Sequence, residues 1–203
     1  VGARVIKPHR LPINVFDLRH CPESLTPWLD RFNFFSDILD KVYSGIGPVQ
    51  RKGLKAAVKK AYEDSTAAGR HPTIYDVSAT YAELTDGKAD SPSSILEDMV
   101  DRELFHPEPE KAEPVEKFLD GVVVIDLASL GQDDRAKNTL VAIMLNLFYE
   151  QMLRIPKRPF EGTDPQLRVL DSLLLVDEAD NIMRYEFDVL RKLLLQGREF
   201  GTG

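Results

Sequence analysis

The residues best placed for chemistry are Asp177 and Glu178, which follow directly on Leu173-Leu174-Leu175-Val176. An unbroken apolar run this short suits a strand buried on both faces of a parallel sheet. The two acids then emerge at the carboxyl end of that strand, where open α/β sheets hold their ligands. In a nucleotide hydrolase the first acid, Asp177, holds the water shell of Mg²⁺, and the second, Glu178, orients and deprotonates the attacking water. The competing reading is a buried strand whose acids cap the next helix, and six residues alone do not separate the two. Asp180 and Asn181 follow at once. One helix later comes Gln196-Gly197-Arg198-Glu199-Phe200-Gly201. There Arg198, fixed in charge and geometry, either reaches a phosphate across a subunit interface or pairs with a surface acid.

Other chemistries fail on spacing. A phosphate-binding loop needs Gly-x-x-x-x-Gly-Lys-Ser/Thr. Asp86-Gly87-Lys88-Ala89 lacks the earlier glycine and the hydroxyl. Gly45-Ile46-Gly47-Pro48-Val49-Gln50 lacks the third glycine of a dinucleotide fingerprint, and no strand precedes it. The histidines His9, His20, His71 and His106 are isolated along the chain, with no metal-ligand spacing. Cys21 reads as a surface or half-buried thiol. There is no Gly-x-Ser-x-Gly elbow. Asp126 ends a second apolar run, Val122-Val123-Val124-Ile125, and Ser129 nearby favours a helix cap over a supporting acid.

The elements that must position these residues read as follows. Arg4-Val5-Ile6 is a short strand, and Pro8 and Pro12 keep the following chain extended. Thr26-Pro27 opens a helix whose face is Leu29, Phe32, Phe35, Leu39 and Val42. It ends near Ser44-Gly45, and Gly47-Pro48 separates it from a second helix. That helix buries Leu54, Ala57, Val58, Ala61 and Tyr62 and carries Lys52, Lys55, Lys59 and Lys60 on its other face. The lysines form either a solvated face or a contact with DNA phosphates. Thr73 caps a helix through Leu84, and Ser91-Pro92 opens another ending near Phe105. His106 to Pro114, with three prolines and three glutamates, reads as a stiff, mobile linker. Val122–Ile125 is a buried strand. Asp133-Asp134 starts a long helix with Leu140, Ile143, Met144, Leu147 and Phe148 inward. The run into Val176 follows, then a helix over 188–196 with Leu190, Leu193 and Leu194 on its packing side and Gly197 as its C-cap. Strand, helix, strand, helix from Val122 onward predicts parallel strands joined by right-handed crossovers. The fold class is therefore α/β, a slice of parallel sheet interrupted by a large helical insertion.

The totals agree with one domain carrying an insertion. The chain has 203 residues, 43% of them hydrophobic, and a formal net charge of -7, so it has no global attraction to nucleic acid. A single cysteine rules out an internal disulfide and favours a reducing compartment. No apolar run is long enough to span a membrane. Starting at Val1 without methionine and stopping at Gly203, the chain reads as a piece of a longer protein.

The ordered set of features resembles the HerA/FtsK superfamily of DNA-pumping P-loop ATPases. Leu174-Leu175-Val176-Asp177-Glu178-Ala179-Asp180 resembles the Walker B segment. His9-Arg10-Leu11-Pro12-Ile13-Asn14 resembles the "PxN" stretch after the second strand. Gly121 to Leu130 with Asn138 to Tyr149 resembles the strand and helix before Walker B, and Gln196 to Gly201 the "GRKFG"-like turn after it, with Glu199 where lysine is common. Within the superfamily the chain is most similar to the ATPase part of DptH-like phosphorothioation-dependent restriction proteins of bacteria. The resemblance implies a partial RecA-like sheet: residues 1–25 begin the ATPase core, 26–106 form a helical insertion, 107–120 a Pro/Glu-rich linker and 121–203 the core with Walker B. It implies ATP and Mg²⁺ as cofactors, Asp177 on the metal and Glu178 as the base, with Arg198 not securely assigned. It also implies a cytoplasmic DNA translocase or helicase-like motor, assembled with other subunits as a ring, often a homo-hexamer, with defence-system partner proteins and no membrane. The Walker A loop lies upstream of the first residue in that family, so this piece holds the hydrolytic half of a site and is expected to be inactive alone. Two alternatives remain: a non-catalytic assembly or partner-binding module derived from an ATPase, and an unrelated α/β hydrolase or phosphotransferase using Asp177 and Glu178 on a metal.

Overall fold

The computed structural model describes residues 2–20, 24–43, 46–163, 167–177 and 183–203. Cys21, Ser44, Gly45, Glu178, Asp180 and Asn181 lie outside them. The chain divides into two compact units, Val1–Lys137 and Asn138–Gly203.

The first unit is mostly helical. Its four long helices are α1 (Pro27–Tyr43), α2 (Pro48–Ala67), α3 (Ile74–Leu84) and α4 (Ser91–Asp101), followed by the single turn α5 (Val115–Phe118). Each starts where local chemistry favours it. Pro27 and Pro48 take early helical positions, where a missing N–H costs nothing, and the Gly47 N–H donates to the Gln50 side chain at 2.9 Å. Asp90 caps α4, accepting from the Ser93 N–H at 3.0 Å. α2 packs against α1, α3 and α4, and the expected apolar faces are buried except for the half-buried Leu29: Phe32, Phe35, Leu39 and Val42 of α1, Leu54, Ala57, Val58, Ala61 and Tyr62 of α2. Burial of that kind supplies most of a helix's stability.

α4 stops at Asp101 rather than near Phe105. Glu103 there has a left-handed backbone, φ 47°, facing Arg10 at φ 51°. The Arg10 N–H donates to the Glu103 carbonyl at 2.6 Å, and its guanidinium clasps the Glu103 carboxylate at 2.7 and 2.9 Å. Leu11 then bridges to Phe105 in parallel. A long-range partner, not the local periodicity, ends the helix. The Pro/Glu-rich stretch is likewise anchored: the His106 N–H donates to the Leu11 carbonyl at 3.0 Å and the Glu113 N–H to the Pro12 carbonyl at 2.8 Å.

Strands β1 (Arg4–Ile6) and β2 (Val123–Ile125) pair in parallel, Arg4 opposite Val123 and Ile6 opposite Ile125. Helices α1 to α5 lie between them in sequence, so the α/β expectation of a parallel pair interrupted by a helical insertion holds at this level. β2 is not buried as expected, because Val124 is 45% exposed and neighbouring Val122 51%. Burial on both faces needs further layers, and a pair of three-residue strands provides little cover. Asp126 caps the 3₁₀ turn Leu127–Leu130 by accepting from the Ala128 N–H at 3.1 Å, the cap reading favoured by Ser129.

The loop before α3 makes a pH-dependent contribution. Asp76 accepts from the Thr73 N–H at 2.7 Å and hydroxyl at 2.9 Å, and from both terminal nitrogens of Arg70 at 2.7 and 2.8 Å. Burial pushes the Asp76 carboxyl up, but the Arg70 and Thr73 hydrogen bonds more than offset it and leave it below the usual 3.8. As pH falls the unfolded carboxyl therefore binds its proton first, so the stabilisation is complete above the ordinary carboxylate range and drains away below it. Asp76→Asn is expected to lose about 1–2 kcal/mol at neutral pH. The gap to wild type should shrink below about pH 4, as urea unfolding across pH will show.

The second unit takes in most of α6 (Asp134–Arg154), then α7 (Asp188–Gln196) and the 3₁₀ turn Gly197–Phe200. In α6, Ala142 and Leu145 are buried as well as Leu140, Ile143 and Leu147, while Met144 and Phe148 are half-buried. In α7 the expected packing residue Leu194 is 83% exposed, and burial falls on Val189 and on Phe187 just before the helix. Among the described residues no helix is long and apolar enough to cross a membrane.

Candidate functional site

The second unit builds the acid-bearing segment from two short extended stretches. The Ser172 N–H donates to the Gly201 carbonyl at 3.1 Å, the Gly203 N–H to the Ser172 carbonyl at 3.0 Å and the Leu174 N–H to the Gly203 carbonyl at 2.8 Å. Ser172 and Thr202 form a parallel bridge, their hydroxyls 2.9 Å apart. The two short stretches thus pair in parallel through one bridge, with α7 between them in sequence. Gly201 makes the entry to the second stretch: its φ is +70°, and a Cβ there would lie 2.6 Å from Asp171 Oδ2 and 2.8 Å from the Val169 carbonyl oxygen. Only glycine fits both the backbone and the space. This left-handed residue is the one that turns the chain, whereas the C-cap Gly197 keeps a right-handed helical backbone.

The first stretch departs from the expected buried strand. Among the described residues its backbone pairing extends to Leu174, and Leu173 and Leu175 are 61% and 83% exposed. A strand is buried by what packs on it, and its own leucines do not provide that. Asp177 sits exposed in a turn at the end of this run. Glu178 lies outside the described residues. Arg198 is exposed in the 3₁₀ turn that precedes Thr202. In the parallel register of Ser172 with Thr202, Asp177 follows the carboxyl end of one stretch and Arg198 precedes the amino end of the other. The register sets these two residues at opposite ends of the pair. Glu199 forms an ion pair with Lys157 at 2.5 Å, which holds its carboxyl below the usual range, and the Arg158 N–H donates to its carbonyl at 2.7 Å. The acid at this turn thus has its own cation in the same unit.

No family model matches the chain, and no curated protein matches it.

Among the described residues no group of three or more His, Cys, Asp or Glu side chains is placed to hold a metal ion. The donor chemistry at Asp177 is a hard carboxylate oxygen in an exposed position, which suits a Mg²⁺ ion that keeps most of its waters.

The first unit holds a grouping that the sequence does not announce. His71, isolated along the chain, has its Nδ1 3.0 Å from Oδ1 of Asp17, whose side chain is 3% exposed. Asn14 brings them together: its amide donates to the Pro72 carbonyl at 2.9 Å, while its Oδ1 accepts from the Phe16 N–H at 3.0 Å. Hence the asparagine of the "PxN"-like stretch fastens the His71 loop onto the extended segment. A sequence signal existed only in part, as an asparagine and an aspartate three residues apart in a proline-stiffened stretch. Three lysines of the α2 face have partners within the first unit. Lys59 pairs with Glu63 at 3.6 Å, Lys60 with Asp64 at 3.5 Å and Glu83 at 2.8 Å, and Lys55 lies over the Trp28 ring.

Proposed function

We propose that this chain is the Walker B half of the ATPase core of a DNA-translocating motor similar to the HerA/FtsK superfamily, built on a RecA-like parallel sheet and acting in bacterial DNA processing or defence. One observation carries the reading. The acid-ended stretch runs parallel to the stretch after the Gly-Arg turn, with α7 between them. A Walker B strand and the strand that follows it need that arrangement. In this reading Asp177 holds the water shell of Mg²⁺ and Glu178 takes the proton of the water attacking the γ-phosphate. ATP and Mg²⁺ bring the reacting phosphoryl group and its charge neutralisation; the chain contributes a metal-anchoring acid and a base. Arg198, at the far end of the parallel pair, suits a neighbouring subunit's phosphate better than its own, in keeping with a ring.

The phosphate cradle that supplies most ground-state nucleotide contacts has no counterpart in these 203 residues. The purified 203-residue chain is therefore expected neither to bind Mg-ATP tightly nor to hydrolyse it. Phosphate release above background would overturn that division of the site. A second reading, a non-catalytic assembly module, draws on the exposure of the large apolar side chains Leu173, Leu175, Leu194 and Leu195.

A further inference from the structure

The segment around Asp17, the loop 69–71 and the turn 109–112 enclose a groove of about 660 Å³, lined among others by Asp17, Arg19, Arg70, His71 and Glu110. Its acid floor is already occupied. Oδ1 of Asp17 accepts from the Arg19 N–H at 2.8 Å and faces Nδ1 of His71 at 3.0 Å, and Oδ2 accepts from Arg19 Nε at 2.7 Å. The buried carboxylate therefore acts on the groove through the groups it orients. His71 Nδ1, 3.0 Å from Asp17 Oδ1, also lies 3.4 Å from the Leu18 nitrogen, so this ring atom is engaged within the protein and Nε2 is the one left for a ligand. Arg70 is fixed in the same way by Asp76, through one edge of its guanidinium, and its Nη1 also donates to the His71 carbonyl at 3.2 Å. These bonds use three of the five N–H donors of a guanidinium. Arg19 adds a second fixed positive charge to the wall.

We propose that this groove binds a phosphate group, with Arg70 and His71 as its direct ligands and Arg19 as a supporting charge. Several donor groups on one concavity suit a tetrahedral oxyanion better than a two-oxygen carboxylate, and guanidinium planes match phosphate edges. The ligands are held in place beforehand by Asp17, Asp76 and Asn14, so little ordering is left to oppose binding. The opposing charges are Asp17 on the floor, already paired with Arg19 and facing His71, and Glu110, exposed on the facing wall and close enough for its charge to act on Arg70. The proposal does not depend on the ATPase reading, since no residue of the second unit enters it.

The test is a titration of the 203-residue chain with inorganic phosphate, and separately with a short DNA duplex, at constant ionic strength. It is followed by the nitrogen resonances of the His71 ring and Arg70 Nε. Saturable shifts at both residues are expected. Arg70→Gln should weaken binding about tenfold or more. Because Arg70→Gln also disturbs the cap at Asp76, Glu110→Gln provides an independent check: on an exposed wall it should tighten binding about two- to fivefold. Saturation by duplex at lower phosphate content than by the free ion assigns the group to a nucleic-acid backbone. Saturation by the free ion alone assigns it to a small molecule. Shifts no larger than those given by chloride, or a Glu110→Gln variant that binds no more tightly, would overturn the proposal.

Discussion

In the ATPase proposed above, Glu178→Gln is expected to reduce ATP turnover by about 10²–10⁴-fold, the range for loss of a positioned general base, while ATP binding is retained. The amide keeps the shape of the side chain but cannot take the proton of the attacking water. In that proposal nucleotide binding rests instead on the phosphate cradle and on Mg²⁺, whose water shell Asp177 holds. Phosphate release and nucleotide binding must therefore be measured together. Retained turnover removes Glu178 from the base role, and loss of binding along with turnover points to a structural role. The register adds a sharper expectation. If the proposed ring forms, Arg198 and Asp177 at opposite ends of one parallel pair imply that each site takes its base from one subunit and its arginine from the next. Mixing Glu178→Gln with Arg198→Ala subunits should then restore part of the turnover that each variant lacks alone. No recovery in mixed rings that are shown to form would remove Arg198 from a role in the neighbouring site.

The parts legible in the sequence are those whose causes are local. Pro27, Gly47-Pro48 and Thr73 mark helix starts through bonds made within a few residues, and the faces of α1 and α2 follow from a 3.6-residue rhythm that needs no knowledge of partners. The parts missed are set at a distance. α4 ends early because Glu103 is held against Arg10, more than ninety residues away in sequence. Leu175 and Leu194 look like core residues by type, yet exposure is decided by what covers them. The pairing of His71 with Asp17 depends on Asn14 reaching Pro72, and nothing in spacing alone shows it. The candidate acids were visible as an apolar run meeting Asp177 and Glu178. The parallel partner at Gly201–Gly203 lay in three residues too few to read as a strand.

Phe16→Ala is expected to cost about 3–5 kcal/mol, the range for deleting a buried phenyl ring. That is a large part of the roughly 5–15 kcal/mol that stabilises a typical domain. Phe16 stands in a stretch whose sequence gives no clear secondary structure, yet it is 0% exposed. Its ring meets Phe35 of α1 edge-on at 5.1 Å between centroids and Tyr62 of α2 at 6.4 Å. The Tyr62 hydroxyl donates to the Phe16 carbonyl at 2.6 Å, so this residue fastens the extended segment to two helices by side chain and backbone together. The flanking Asn14 and Asp17 set the groove, and removing the ring should therefore loosen both core and groove. Urea unfolding measures the first effect, with an unchanged slope required before the midpoint is read as stability. A comparison variant, Val5→Ala, at 68% exposure should change stability by no more than about 0.5 kcal/mol. A loss at Phe16 no larger than that at Val5 would mean that the extended segment is not held by this aromatic contact. The groove would then have to be ordered by Asn14 and Asp17 alone.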